Sequence, residues 1–229
     1  MAISWVSIAN GGSTNTFTAA TSAITLTSGK VYFFAVKNNR DAASATPTAT
    51  GWSLVTTIDS APQTPAERCT VFIRDGDGST SVHTATFSGE AQNNIVFAVD
   101  EATGADAAAT VVVQSGRLGG RGLTASASLV TFGDAVNHHT YFATGNNWGS
   151  ATSALGNLTK LAENAAVGGA LATFTHSSQN TAPNVSIAAT ANWGAVAIEV
   201  GDAAAAGGAS TTTEPTIHPH TVRPHQVVL

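Results

Sequence analysis

Apolar and polar positions alternate with a period of two along most of the chain. Ala23–Thr27, Val31–Lys37, Trp52–Ile58, Cys69–Ile73, Val82–Phe87 and Ile95–Val99 each read as a strand. Clusters of Gly, Asn, Asp and Pro punctuate them. Helical periodicity is nearly absent. The best helical candidate is LTKLAENAAVGG at 158–169, two turns of apolar spacing stopped by glycines.

The pattern also repeats. VYFFAVKNN (31–39) is echoed by HTYFATGNN (139–147), each with an aromatic pair and an alanine before a doubled asparagine. Phe33 answers to Tyr141, 108 positions on, and the flanks extend the match in order. GWSLVTTID (51–59) lies beside GNLTKLAEN (156–164) at an offset of 105. The block from Cys69 lies beside that from Leu171 at 102, and NIVFAVDEATG (94–104) beside AVAIEVGDAAA (195–205) at 101. Two copies of one six-stranded unit, at about 3–104 and 110–202, account for this. The predicted fold is all-β, an antiparallel, jelly-roll-like β-sandwich spanning 1–202. The connection carries its own strand at Thr110–Gln114, which favours one shared core with a pseudo-twofold axis over two beads. Alternation predicts one apolar face inward and a Ser/Thr/Asn face outward.

From Ala203 the pattern changes to AAAAGGASTTTEPTIHPHTVRPHQVVL. Residues 203–213 read as a flexible linker and 214–229 as an extended arm, because the prolines bar a helix or a central strand.

Composition narrows the function. Of 229 residues, 10% are charged and 43% hydrophobic, and the net charge is −5. Nine basic residues scattered along the chain do not make a phosphate-binding groove, so nucleic acid is not an expected partner. No apolar run is long enough to span a bilayer and no signal peptide opens the chain, so a soluble protein made in a cytoplasm, with no membrane partner, is expected.

Candidate chemistry is sparse, and comparison of the two copies weighs it. A residue type found in both serves the fold, whereas one found in a single copy is free for function. Cys69 matches Leu171 and reads as a small buried hydrophobe. Asp75-Gly76-Asp77-Gly78-Ser79 begins like a calcium loop, but Thr86 stands where the twelfth-position glutamate belongs, so a hairpin turn is expected. Asp100 and Glu101 are adjacent in a strand and point to opposite faces, and Glu199 has no close acidic neighbour in sequence except Asp202. No nucleophile elbow, cofactor loop or catalytic constellation appears, so neither enzyme activity nor a cofactor is expected. His218 and His220, two apart in an extended arm, point the same way and are the metal-ligand candidates. Trp148 beside Asn146 and Asn147 is the carbohydrate-platform candidate, an indole face with amides to suit a pyranose.

Gly51-Trp52-Ser53-Leu54, Thr84-Ala85-Thr86-Phe87-Ser88 and Ala195-Val196-Ala197-Ile198-Glu199-Val200 together resemble a layout of tailed-bacteriophage virion structural proteins with a duplicated β-sandwich. The resemblance covers about residues 3–202 and departs from the layout at Gly156-Asn157. It implies a capsid decoration (cement) or tail-associated protein, the former being the leading expectation, made in the host bacterial cytoplasm and resident in the virion. Such a protein would be a homo-oligomer, a trimer by expectation, docked on the major capsid protein or another virion protein. Trp5 of the N-terminal strand and Val227, Val228 and Leu229 of the arm would make the intersubunit contacts. The alternative is a carbohydrate-binding module of a phage tail or fibre, with Trp148, Asn146 and Asn147 as its site.

Overall fold

A computed structural model describes residues 2–40, 45–60, 65–134, 137–147, 152–166 and 168–203. The strands of the first half are β1 (Ser4–Thr16), β2 (Thr18–Ala20), β3 (Ile24–Thr25), β4 (Val31–Arg40), β5 (Thr48–Ala49), β6 (Ser53–Asp59), β7 (Ala66–Asp75), β8 (Thr80–Ser81), β9 (Thr84–Thr86) and β10 (Gln92–Thr103). Those of the second are β11 (Val112–Ser126), β12 (His139–Asn146), β13 (Thr152–Ala154), β14 (Thr159–Ala166), β15 (Gly169–His176) and β16 (Asn184–Val200). No helix occurs among the described residues. The stretch with helical spacing is β14, which pairs antiparallel with β15 through a bulge between Lys160 and Ala162. Ladder hydrogen bonds and a facing sheet overrode a local period only two turns long.

Two main antiparallel sheets form, ordered β1-β10-β4-β7-β6 and β11-β16-β12-β15-β14, and β13 adds to β16. Strand for strand the order is the same. The sheets pack face to face, with β4 on β12, β10 on β15, β7 on β16, β1 on β14 and β6 on β11. Exchanging the halves maps every facing pair onto another, so a pseudo-twofold axis passes between β4 and β12. Phe33 and Tyr141, the matched aromatics of the sequence echo, stack on each other across it at 4.8 Å between ring centroids. Trp5 closes the trio at 5.3 Å from Phe33 and 5.5 Å from Tyr141.

Three apolar layers result. The middle one, between the main sheets, includes Phe33, Val71, Val96, Tyr141, Leu171, Val196 and Ile198. A second covers the outer face of the first sheet, where β2, β5 and β9 bring Ala19, Ala49 and Ala85 over Tyr32, Phe34 and Phe97. The third covers the second sheet with Ala125, Leu158, Val185 and Ile187 over Phe142 and Phe174. The central strands are therefore buried on both faces: all of β12, and β4 through Asn39. The expectation of one outward Ser/Thr/Asn face fails for them, since each main sheet has a partner on either side. Continuous runs such as VYFFAV, rich in aromatic and β-branched residues, suit that double burial.

The ladders also correct two offsets read from the sequence. Phe33 pairs with Asp100 and Tyr141 with Ile198, so Asn94 answers to Asn192 and Glu101 to Glu199, an offset of 98 rather than 101. Ser53 pairs with Ile73 and Thr159 with Thr175, which gives 106 rather than 105 and matches Trp52 to Leu158, both buried. The β6 bulge between Leu54 and Thr56 then falls on the β14 bulge.

Candidate functional site

In the corrected register the doubled asparagines serve the fold. Asn39 Oδ1 accepts from the backbone N–H of Asn94 at 3.1 Å, and Asn147 Oδ1 accepts from that of Asn192 at 2.9 Å. Asn146 is fully buried in β12. Of the expected carbohydrate platform, Asn146 is thus committed to the interior, Asn147 is half-buried with its Oδ1 on a main-chain donor, and the third member, Trp148, lies outside the described residues. Glu101 and Glu199 are likewise matched. Glu101 accepts from Tyr32 Oη at 2.7 Å and pairs with Lys30 at 2.5 Å, while Glu199 contacts His138 Nδ1 at 2.6 Å and Gln114 Nε2 at 2.5 Å. Lys30 and His138 stand 108 apart, so each half sets a basic side chain against its matched glutamate.

The other sequence candidates fall as follows. Trp5, expected at an intersubunit contact, is partly buried against the middle layer and donates its indole N–H to His139 Nδ1 at 3.1 Å. His218, His220, Val227, Val228 and Leu229 lie outside the described residues. Asp77 accepts from Ser79 N at 2.9 Å and pairs with Arg74 at 2.5 Å, and Asp75 accepts from Ala108 N at 2.7 Å, so both acids of the DGDGS turn hold local donors. Cys69 is buried at the position matched by Leu171, and burial pushes its thiol up to about 12, which keeps it protonated and inert. Asp100 and Glu101 point to opposite faces. Asp100 enters the middle layer, accepts from Tyr141 Oη at 2.8 Å, and is pushed up to about 6 by burial.

The positions where the halves differ draw attention to Lys37 and Glu67, which meet Asn94. Lys37 pairs across β4–β10 with Val96 and across β4–β7 with Cys69, while Asn94 and Glu67 each lie two residues further along. A step of two keeps the same face, so the pleat brings all three side chains together in the middle layer as diagonal neighbours. Lys37 Nζ lies 2.9 Å from Glu67 Oε2 and donates to Asn94 Oδ1. Asn94 Nδ2 in turn donates to the Gly168 carbonyl at 2.7 Å, which fixes the amide with its oxygen towards the amine. Lys37 and Glu67 are 0% exposed and Asn94 is 3% exposed. Burial lowers the Lys37 ammonium and raises the Glu67 carboxyl to about 7, which favours a neutral amine beside a neutral acid.

The second half makes room for this cluster. The counterparts of Lys37 and Glu67 are Gly145 and Gly169, and a Cβ on either would collide with the Lys37 side chain. The cluster went unread in the sequence, although its signal stood in the opening echo, where Lys37 of FAVKNN faces Gly145 of FATGNN. Comparison with protein-family models, with curated proteins and with solved structures finds no match to the chain, so the function must be argued from the molecule itself.

Proposed function

We propose that this chain is a structural protein of a tailed-phage virion, a decoration (cement) protein whose core arose by doubling one β unit. One observation carries the reading: the elaborate polar contacts join the halves internally, while the long edge strands are left open. Among the described residues β1, 13 residues long, pairs only with β10, and β11, 15 residues long, only with β16. Val6, Val113, Leu118 and Leu123 stand exposed along them. An open edge with apolar side chains binds by main-chain pairing and burial, the physics of assembly. The segment beyond Ala203, with its prolines and its Val-Val-Leu end, would supply a second grip on a neighbouring subunit or on the major capsid protein.

The test is to prepare particles with the full chain and with a chain lacking residues 207–229. Many copies per particle, and reduced occupancy by the shortened chain with an unchanged unfolding midpoint, are expected. A handful of copies per particle would move the protein to the tail. Equal occupancy by the shortened chain would remove the arm from the mechanism.

A further inference from the structure

We propose that Lys37 and Asn94 condense into an intramolecular isopeptide bond, Lys37 Nζ to Asn94 Cγ, with Glu67 as the proton carrier. The inference is independent of the virion reading.

Three observations support it. First, the reacting groups are in place. The Lys37 amine bears on the Asn94 carbonyl oxygen, and the Gly168 carbonyl holds the Asn94 amide nitrogen on the far side. Nucleophile and carbonyl held together in a water-free site convert a slow bimolecular aminolysis into a unimolecular step. Second, a carboxyl group touches the nucleophile, Glu67 Oε2 at 2.9 Å from Nζ. The burial that lowers the ammonium and raises the carboxyl supplies the two forms that the reaction needs. Third, the fold does not require these residues. The second half builds the same sheet with Gly145 and Gly169 at the matching places and keeps only Asn192. Burying a lysine with a glutamate costs desolvation that an apolar pair avoids, so their presence in one half only calls for a use other than folding.

The step balances without a co-reactant. In the neutral form of the pair, which burial favours, Glu67 holds the proton and Lys37 is a free amine. Nζ attacks Cγ, and Glu67 protonates Oδ1. The Glu67 carboxylate then takes a proton from Nζ and hands it to Nδ2. The Cγ–Nδ2 bond breaks, ammonia leaves, and the hydroxyl proton returns to Glu67 as the carbonyl reforms. A secondary amide now ties β4 to β10, and no group is oxidised or reduced.

The experiment is mass spectrometry of the purified full chain, intact and after trypsin. The crosslinked chain weighs less than its sequence by one ammonia, about 17 Da for each amide formed by a lysine nucleophile. Acylation blocks cleavage after Lys37, so a branched peptide joining 31–40 to 75–117 is expected in place of the linear pieces. Glu67→Gln, shown folded by its melting curve, is expected to keep the full mass and both linear peptides. Linear peptides alone from the wild-type chain after incubation at neutral pH would overturn the proposal and leave a plain buried ion pair. A loss of ammonia confined to the linear peptide that holds Asn10-Gly11 would be a backbone succinimide, and would overturn it equally. A Glu67→Gln chain that still yields the branched peptide would remove Glu67 from the reaction.

Discussion

Lys37 and Gly145 hold matching places in the two halves, and each explains the other: the long side chain of one occupies the space that the missing side chain of the other leaves. Gly145→Ala and Gly169→Ala should each destabilise the protein by about 1–3 kcal/mol through overpacking, read as a lower denaturation midpoint. Unchanged midpoints would mean that the Lys37 chain has somewhere else to go. Asp100 gives a second, pH-dependent prediction. Burial raises it from 3.8 to about 6, so between those values the folded state holds a proton that the unfolded chain has lost. Stability contributed by this group is therefore greatest below pH 4 and declines as the pH rises to 6, by up to about 3 kcal/mol. Asp100→Asn should remove that part of the slope in denaturant unfolding across the window, and parallel curves for the two proteins would exonerate Asp100. Tyr141→Phe deletes the donor at 2.8 Å and should cost about 1–3 kcal/mol above pH 6, where Asp100 is charged.

Strand existence was readable and strand boundaries were not. β4, β7 and β10 follow from their apolar runs, but alternation marked none of β1, and β11 runs far past Thr110–Gln114, because Gly and Ser in an edge strand carry no periodic signal. β14 looked helical because its apolar spacing, Leu161 and Ala162 with Ala165, fits either period over so short a span. Burial of these strands makes a test. Amide exchange should be slowest in β4 and β12, central and covered on both faces, and fastest in the exposed parts of β1 and β11. Fast exchange at Phe33–Val36 would contradict the double covering.

The described residues form two units joined by the packing of their main sheets. Either half alone would expose an apolar face bearing Phe33, Val71 and Val96, or Tyr141, Leu171 and Val196. A chain of residues 1–109 should therefore self-associate or precipitate, and a folded monomer by light scattering would count against the shared layer. Phe33→Ala, at the axis, should cost about 3–5 kcal/mol in the intact protein.

The sequence by itself determined that the chain is all-β, that a strand pattern recurs, and that Phe33 answers to Tyr141, since these rest on local periodicity and on gapless blocks. Register was decided only by the tertiary structure. A run such as AVAIEV can slide along its counterpart without losing its apolar pattern, and only ladder hydrogen bonds fix which residue lies opposite which. With register came the pairing of Glu101 with Glu199 and the meeting of Lys37, Glu67 and Asn94, which lie far apart in sequence and converge because three adjacent strands turn one face to the same dry layer.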